Sequence, residues 1–199
     1  MKHHATATAF SIYQAASGFG LLAANDNGLV AHHLPFGAPS IGDAMELAAM
    51  VHPRATGESP LTREGAGLLS RYFAGERVAF DLPLDLQGFT PFQVSVYRTV
   101  AGIPYGTVLS YLEVAAACGS PRGARAIGGA MAKNPLPVLI PCHRVVGASG
   151  VMTGFTAPGG VDSKREILLM EGVLFDTRGG VLRAESRGVM HRISTGVVD

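Results

Sequence analysis

The sequence predicts an α/β chain of two domains, a strand-containing N-terminal domain followed by a mostly helical one. A turn-rich tetrapeptide, Asn25 to Gly28, lies between two short apolar runs and predicts a β-hairpin. Capping-box spacing, a serine or threonine followed three residues later by glutamate or glutamine, recurs after residue 89 and predicts helices there. The 199 residues are 47% hydrophobic and 16% charged, which is enough apolar material to bury two small cores.

The N-terminal domain is assigned to residues 1–80. Two helices are expected in it, over residues 41–51 and 61–74. The second follows Ser59, a good N-cap, and has a proline at its first helical position. Residues 81–90 are extended and interrupted by proline, which favours a linker between the domains.

The second domain is assigned to residues 91–175, and capping boxes, prolines and glycines mark the ends of its helices. The four expected helices begin at Pro91, at Ser110, at Ser120-Pro121 and at Asp162 or Ser163, and the last three end at Gly119, at Asn134-Pro135 and near Gly172. The two central helices, joined by a short glycine-containing turn, form the pattern of a helix-turn-helix. Residues 176–199 are a C-terminal extension of unassigned role, for which a hairpin or a frayed tail is expected.

Positive charge is concentrated in one part of the chain. Residues 1–90 hold five basic and eight acidic residues, a net charge of −3, and residues 147–199 hold six of each. Residues 91–146 hold five basic residues and one acidic residue, a net charge of +4. Such a segment suits contacts to phosphates, although an ordinary solvated surface has the same composition.

Only two cysteines are present, Cys118 and Cys142, which argues against a disulfide framework. Cys142 follows an apolar run fenced by three prolines that restrict the backbone, and His143 comes directly after it. A neighbouring imidazole can take the proton of a thiol and so activate it as a nucleophile. Most free cysteines are nevertheless small buried hydrophobes, so this pair alone leaves both interpretations open.

Further short motifs stand in a fixed order between about Thr90 and Gly172. They are Ile103-Pro104-Tyr105-Gly106, Ser110-Tyr111, Gly119-Ser120-Pro121, Arg125-Ala126-Ile127-Gly128, Asn134-Pro135, Pro141-Cys142-His143-Arg144-Val145 and the stretch from Lys164 to Glu171-Gly172. Together they resemble the O6-alkylguanine-DNA alkyltransferases, also called methylated-DNA–protein-cysteine methyltransferases. The resemblance implies a ribonuclease-H-like N-terminal domain and a C-terminal domain with a winged-helix-like helix-turn-helix.

The resemblance also implies a reaction, the irreversible transfer of an alkyl group from O6-alkylguanine in DNA to Cys142, once per molecule. O4-alkylthymine is a further substrate that it allows. In the family a relay of cysteine, water, histidine and glutamate activates the thiol, and the matching residues are Cys142, His143 and Glu171. Asn134 matches the asparagine that braces the turn ahead of the cysteine. Tyr111 matches the tyrosine that rotates the target phosphate and assists the departing guanine.

The implied partner is double-stranded DNA containing O6-alkylguanine, bound in the minor groove without sequence preference. Arg125 matches the arginine that takes the place of the flipped nucleotide in the base stack. Small residues around it would let the second helix of the helix-turn-helix approach the groove closely. They are Gly123, Ala124, Ala126 and Gly128.

Three residues match positions that line the guanine pocket in the family, namely Met131, Val145 and Thr156. Methionine and valine are also ordinary core residues, so the match is less specific here. The chain departs from the commoner pattern near Thr156, where it carries extra residues and has Phe155 in place of a tyrosine. Substrate breadth is therefore open.

Three other functions fit parts of the pattern. A non-catalytic sensor of alkylated DNA would share the fold, but such relatives lack the cysteine. A transcription factor would require polar, base-reading side chains on the second helix, and residues 126–130 offer none. A Cys-His hydrolase would require oxyanion donors and an acyl substrate, and neither is recognisable.

No cofactor is expected, and no metal site either, because no cysteine precedes residue 118 to build a cysteine-rich zinc site. No stretch has the features of a signal peptide or of a membrane-spanning helix. A cytoplasmic location without membrane association is therefore expected, and a monomer is expected as well.

Overall fold

The computed structural model of the protein describes residues 5–182 of the chain. The fold divides into two compact units. Within the described residues, the first unit contains residues 5–89, Pro135–Pro137 and Ala157–Gly159, and the second contains Thr90–Asn134, Val138–Thr156 and residues 160–182. The chain therefore returns twice to the first unit after residue 90.

The first unit is a three-stranded antiparallel sheet with two helices packed against it. The strands follow one another in the order β1-β2-β3. The elements are β1 (Ala9–Ala15), β2 (Gly18–Asn25), β3 (Gly28–His33), α1 (Ile41–Val51) and α2 (Pro60–Phe73). The predicted hairpin is confirmed, since Asn25 pairs with Gly28 at the β2–β3 turn, and both predicted helices are present.

Strand β1 is not predicted from the sequence, because the face of this strand that points into the unit is partly polar. Ser11 and Tyr13 are the buried side chains, whereas Phe10 and Ile12 are only half-buried. Ser11 Oγ donates to Thr62 Oγ1 over 2.9 Å, which satisfies its hydroxyl in the core. The usual alternation, with apolar residues inside and polar residues outside, is therefore reversed and gives no clear strand signal.

The second unit is mostly helical and contains one two-stranded parallel ladder. Its elements are α3 (Pro91–Ala101), β4 (Leu109–Ser110), α4 (Tyr111–Ala117), α5 (Ala124–Met131), a short 3-10 helix (Cys142–Arg144), β5 (Val145–Val146) and α6 (Gly160–Met170). The capping boxes predicted at Thr90 and Ser110 are both formed. Together the two units confirm the α/β class.

Two helix starts differ from the prediction. Helix α5 begins at Ala124 rather than at Ser120, because Gly119 adopts a φ of 70° and the Ser120 amide donates back to Ala115 O. The Gly123 amide then donates to Ser120 O over 2.7 Å, so Pro121 lies in a turn and not in a first helical turn. Helix α6 begins at Gly160, two residues before the earlier of its two predicted starts.

The segment after α6 forms a small hairpin in which Phe175 pairs with Val181. The Val181 amide also donates to Gly150 O, in the loop before α6, over 2.9 Å. The expectation of a hairpin in the C-terminal extension is met over these residues, and the remainder of the extension lies outside the described residues. Among residues 5–182, none of the helices is long and apolar enough to cross a membrane.

Candidate active site

Cys142 lies at the start of the 3-10 helix, and the backbone just before it is tightly turned. Pro141 has φ −76° and ψ 67°, the conformation of an inverse γ-turn, and the Cys142 amide donates to Ile140 O over 2.7 Å. The side chain of Asn134 also donates to Ile140 O, from Nδ2 over 2.8 Å. This bond closes residues 134–140 into a loop, and the bracing role of Asn134 stays a prediction.

The thiol of Cys142 is buried, with only 8% of the residue exposed. Burial raises the pKa of the thiol, while a hydrogen bond from Asn134 and the positive charge of Lys164 oppose this rise. The thiol is therefore the resting form, and a thiolate forms only if a neighbouring group takes the proton.

His143 and Arg144, the two residues after the cysteine, both bind the carboxylate of Glu171, which directly follows the C-terminal end of α6. His143 Nε2 lies 3.0 Å from Glu171 Oε1. Arg144 donates to the same carboxylate from two nitrogens, Nη2 to Oε1 over 2.7 Å and Nε to Oε2 over 3.0 Å. The Gly106 amide adds a fourth donor nitrogen, 3.1 Å from Oε2. Arg144 also donates to Ile103 O over 2.6 Å, so the guanidinium ties three segments together.

The charges of this cluster follow from burial and from the hydrogen bonds. Burial alone would raise the pKa of Glu171, but hydrogen bonds and charge from His143 and Arg144 hold it well below its ordinary value. Burial lowers the pKa of His143 despite the opposing influence of Glu171. An ionised Glu171 only accepts hydrogen bonds, so the ring proton of neutral His143 is assigned to Nε2 and Nδ1 is left as the basic nitrogen.

Lys164 is a second buried cation near the cysteine. The residue is 0% exposed, and its Nζ donates to Val145 O over 2.6 Å. Burial lowers the pKa of this ammonium to about 8, and the charge of a Cys142 thiolate acts in the opposite direction. The ammonium is thus placed to favour the thiolate electrostatically.

Helices α4 and α5 carry the residues predicted to contact DNA. Tyr111 opens α4 half-buried, its hydroxyl donates to Thr153 O over 3.3 Å, and its ring packs beside Gly128 of α5. Burial raises the pKa of the phenol, and a Cys142 thiolate would raise it further. Arg125 is exposed on α5. Gly123 is the N-cap of that helix, Ala126 is exposed, and Ala124 is half-buried.

The three predicted pocket residues do not share one environment. Met131 and Val145 are buried in the second unit, with 7% and 0% of each residue exposed. Thr156 is exposed, in an irregular stretch before α6. Their assignment to the pocket remains a prediction. Among the described residues, no three His, Cys, Asp or Glu side chains are grouped so that they could hold a metal ion.

The sequence motifs do not predict the roles of three residues near the cysteine and the carboxylate, although each residue belongs to one of the motifs. Arg144, Lys164 and Gly106 act through contacts with residues 19 to 65 positions away in the chain. Local spacing carries no information about such contacts. The signal that was available is positional, since all three stand in the ordered motifs between about Thr90 and Gly172.

A family model, the 6-O-methylguanine DNA methyltransferase DNA-binding domain, matches residues 91–173. The constitutive methylated-DNA–protein-cysteine methyltransferase of Bacillus subtilis is 46% identical over 110 residues, 55% of this chain and 63% of that protein. The match therefore spans less than two thirds of the Bacillus protein. The methylated-DNA–protein-cysteine methyltransferase of Mycolicibacterium paratuberculosis is 46% identical over 122 residues, which cover 60% of this chain and 72% of that one.

Solved structures give a longer match. Mycobacterium tuberculosis O6-methylguanine methyltransferase superposes with a TM-score of 0.65 at 33% identity, over 82% of this chain and 92% of that one. Mycobacterium tuberculosis OGT in complex with DNA superposes with a TM-score of 0.67 at 34% identity, over the same shares. The family model, the relatives and the fold agree, and the chain belongs to the O6-methylguanine-DNA methyltransferase family, as the sequence predicted.

Proposed function

We propose that the protein repairs DNA by transferring the alkyl group of O6-alkylguanine to its own Cys142. One observation carries this proposal: the buried thiol of Cys142 is followed directly by His143, whose Nε2 is hydrogen-bonded to an ionised carboxylate. That carboxylate also accepts hydrogen bonds from an arginine. A carboxylate in that position orients an imidazole and stabilises its cation, as in other activated nucleophiles. The names of the relatives, methylated-DNA–protein-cysteine methyltransferases, support the same chemistry.

The proposed step balances as a single displacement. The thiol proton passes to His143 Nδ1, directly or through a water, and the imidazolium formed is stabilised by Glu171. The sulfur of Cys142 then attacks the alkyl carbon, so that a carbon–sulfur bond forms as the carbon–O6 bond breaks. Guanine leaves with its electron pair, and the Tyr111 hydroxyl supplies a proton or hydrogen bond to the ring. The thioether has no second nucleophile to release it, so each molecule acts once.

Duplex DNA is the proposed partner, and the repaired base is proposed to leave the stack before it reacts. The O6 atom of a paired guanine is inaccessible inside the helix, so extrusion is required and costs a few kcal/mol. Arg125 is exposed on α5 among small residues, which suits insertion into the minor groove without base-specific contacts. The solved complex of the Mycobacterium tuberculosis relative with DNA supports this partner. The monomeric state and the ribonuclease-H-like and winged-helix-like topologies are proposed on the resemblance alone.

The decisive experiment is mass spectrometry of the intact protein after incubation with a duplex containing O6-methylguanine. One methyl group should be added per molecule, on the peptide that contains Cys142, in a stoichiometric burst without turnover. Cys142→Ala should bind the duplex and gain no mass. Cys118→Ala, which removes the other free cysteine, is the matched control and should react like the wild type. Methylation of Cys118, or continued turnover, would contradict the proposal.

A second prediction separates base extrusion from chemistry. Free O6-benzylguanine needs no extrusion, so if it is a substrate, Arg125→Ala should slow duplex repair far more than reaction with the free base. His143→Ala should slow both reactions, because it removes the proton acceptor. Single-turnover rates on both substrates measure the difference, with Arg122→Ala as the control because Arg122 is exposed just outside α5. Equal slowing of the two substrates by Arg125→Ala would refute the extrusion role.

A further inference from the structure

A buried histidine of the first unit holds the peptide that leads to the active-site loop. His32, on β3, is only 3% exposed, and both of its ring nitrogens have partners. Nδ1 lies 2.5 Å from Pro137 O, and Nε2 lies 2.7 Å from the hydroxyl of Tyr13. The backbone amide of His32 adds a bond of 2.8 Å to Pro135 O. The ring Nδ1 and the backbone amide of His32 thus bind the carbonyls of Pro137 and Pro135, the two ends of a three-residue segment.

The protonation state of His32 follows from these partners. A carbonyl oxygen can only accept, so Nδ1 carries the proton and donates to Pro137. Nε2 is then the acceptor, and the Tyr13 hydroxyl is its donor. Burial lowers the pKa of His32 to about 3, so the ring stays neutral and keeps this arrangement at neutral pH. Gly20 pairs with Tyr13 across the sheet and leaves room for the phenol ring, because a Cβ at Gly20 would overlap it.

The segment needs external donors because of its own sequence. Pro135, Pro137 and Pro141 have no N–H groups, so much of the loop can accept hydrogen bonds but cannot donate them. The next residue after the held carbonyl, Val138, has a φ of 75°, which is strained for a β-branched residue. Such strain costs about 1–3 kcal/mol and persists only where the surroundings over-determine the conformation.

We propose that His32 is a positioning residue for Cys142, acting through its hydrogen bond to Pro137 and thereby on the strained loop that precedes the cysteine. The inference deepens the proposed alkyl transfer and rests on it. His32 touches neither the thiol nor the substrate. Its role is to hold residues 135–137 so that the turn at Pro141 delivers the sulfur in one orientation.

The test compares variants of His32 in single-turnover alkyl transfer from the methylated duplex. His32→Leu removes both side-chain bonds, whereas His32→Asn retains an amide donor near the position of Nδ1. The maximal rate should fall at least tenfold in His32→Leu, since a misplacement of about 1 Å can cost about a hundredfold. The half-saturating DNA concentration should stay within about twofold, because ground-state binding is not touched. His32→Asn should recover most of the rate.

A control distinguishes positioning from a general loss of stability. Ser11→Ala removes another buried side-chain hydrogen bond of the same sheet, the one to Thr62, without touching residues 135–137. Ser11→Ala should lower the melting temperature and leave the maximal rate near that of the wild type. If it slows transfer as much as His32→Leu at an equal loss of stability, or if His32→Asn fails to restore the rate, the positioning role is wrong.

A second readout does not depend on DNA repair. In a Cys118→Ser background, the rate at which Cys142 reacts with a dipyridyl disulfide should change in His32→Leu and return in His32→Asn. A wild-type protein that transfers no alkyl group would contradict the proposed function, and this thiol reaction then decides the role of His32 alone. Unchanged thiol reactivity in His32→Leu would overturn the inference in either case.

Discussion

At the scale of single residues, Cys142 has opposing influences on its reactivity. Burial favours the thiol, and the buried ammonium of Lys164 favours the thiolate. In the proposed relay His143 takes the proton, and the charge of Lys164 would act separately from that proton transfer. The proposed function would therefore use two different groups at one sulfur: a base that removes the proton and a cation that stabilises the thiolate.

Replacing Lys164 should shift the pH dependence of alkyl transfer to higher pH. Lys164→Gln removes the charge but keeps a donor for Val145 O, whereas Lys164→Met removes both. Loss of the ammonium raises the pKa of the thiol, so the single-turnover rate near pH 7 should fall about tenfold for each unit of that rise. The rate should recover as the pH is raised, and the profile should be measured in both variants.

The comparison of Gln and Met identifies the cause. If charge is what matters, both variants show the shifted profile, and only Lys164→Met also loses stability through the unpaired Val145 carbonyl. A wild-type profile in Lys164→Gln would show that the lysine acts only as a hydrogen-bond donor.

At the scale of elements, the sequence predicted what depends on local spacing. The capping boxes at Thr90 and Ser110 and the β2–β3 turn each involve residues a few positions apart, so short patterns determine them. The start of α5 differs from the prediction because Ser120-Pro121 resembles a helix start, whereas backbone hydrogen bonds at the end of the preceding helix place these residues in a turn. Strand β1 was missed because its buried side chains are polar.

The residues of the candidate site also differ in whether the local sequence reveals them. The adjacent pair of Cys142 and His143 is visible in the sequence, and Glu171 was reached only through the resemblance. The cluster that surrounds the carboxylate, with donors from Arg144 and Gly106, depends on contacts across the second unit that no local pattern encodes. The hydrogen bond between His32 and Pro137 joins residues 105 positions apart, and no local sequence pattern predicts it either.

Gly106 shows how the turn before β4 depends on the end of α6. Its φ is 71°, its amide donates to Glu171 Oε2, and a Cβ there would lie 2.8 Å from Glu171 O. Gly106→Ala should therefore lower the free energy of unfolding by more than the conformational cost of about 1 kcal/mol for a left-handed residue. It should also slow alkyl transfer, because the backbone must shift away from Glu171. Urea unfolding and single-turnover rates measure the two effects.

Gly119 provides the matched control for this prediction. Its φ is 70°, almost the same as that of Gly106, but a Cβ there would meet no atom within 4 Å. Gly119→Ala should show only the conformational cost and leave the transfer rate unchanged. Equal losses of stability and activity in the two variants would contradict the proposed contact with Glu171.

At the scale of the whole molecule, the described histidines all favour the neutral form, mainly because of burial. His32 and His143 are the most deeply buried of the four, with the pKa of His32 lowered to about 3 and that of His143 also lowered. His33 and His52 shift in the same direction. The pKa of Glu171 is lowered as well, so its ionised form is the one that the fold stabilises. Low pH therefore destabilises the fold, because it favours the protonated forms of these histidines and of Glu171.

The fold should lose stability steadily as the pH falls below about 6.5, the ordinary pKa of histidine. Between the ordinary pKa and the lowered pKa in the folded state, the unfolded chain binds more protons than the folded chain. The free energy of unfolding therefore decreases as the pH decreases. Each such proton contributes on the order of 1 kcal/mol per pH unit. Below the ordinary pKa of glutamate, Glu171 adds to the loss with the same sign.

Urea unfolding at a series of pH values from neutral to mildly acidic measures this slope. His32→Asn cannot titrate, so it should reduce the slope by nearly one proton over the range between the unfolded and folded pKa values of His32. His52→Asn should reduce it less, because His52 is only half-buried whereas His32 is fully buried. A free energy of unfolding that stays constant from about pH 7 to about pH 5 would contradict the prediction, since buried neutral histidines must then accept protons without cost. A slope that His32→Asn leaves unchanged would mean that other groups cause the acid sensitivity.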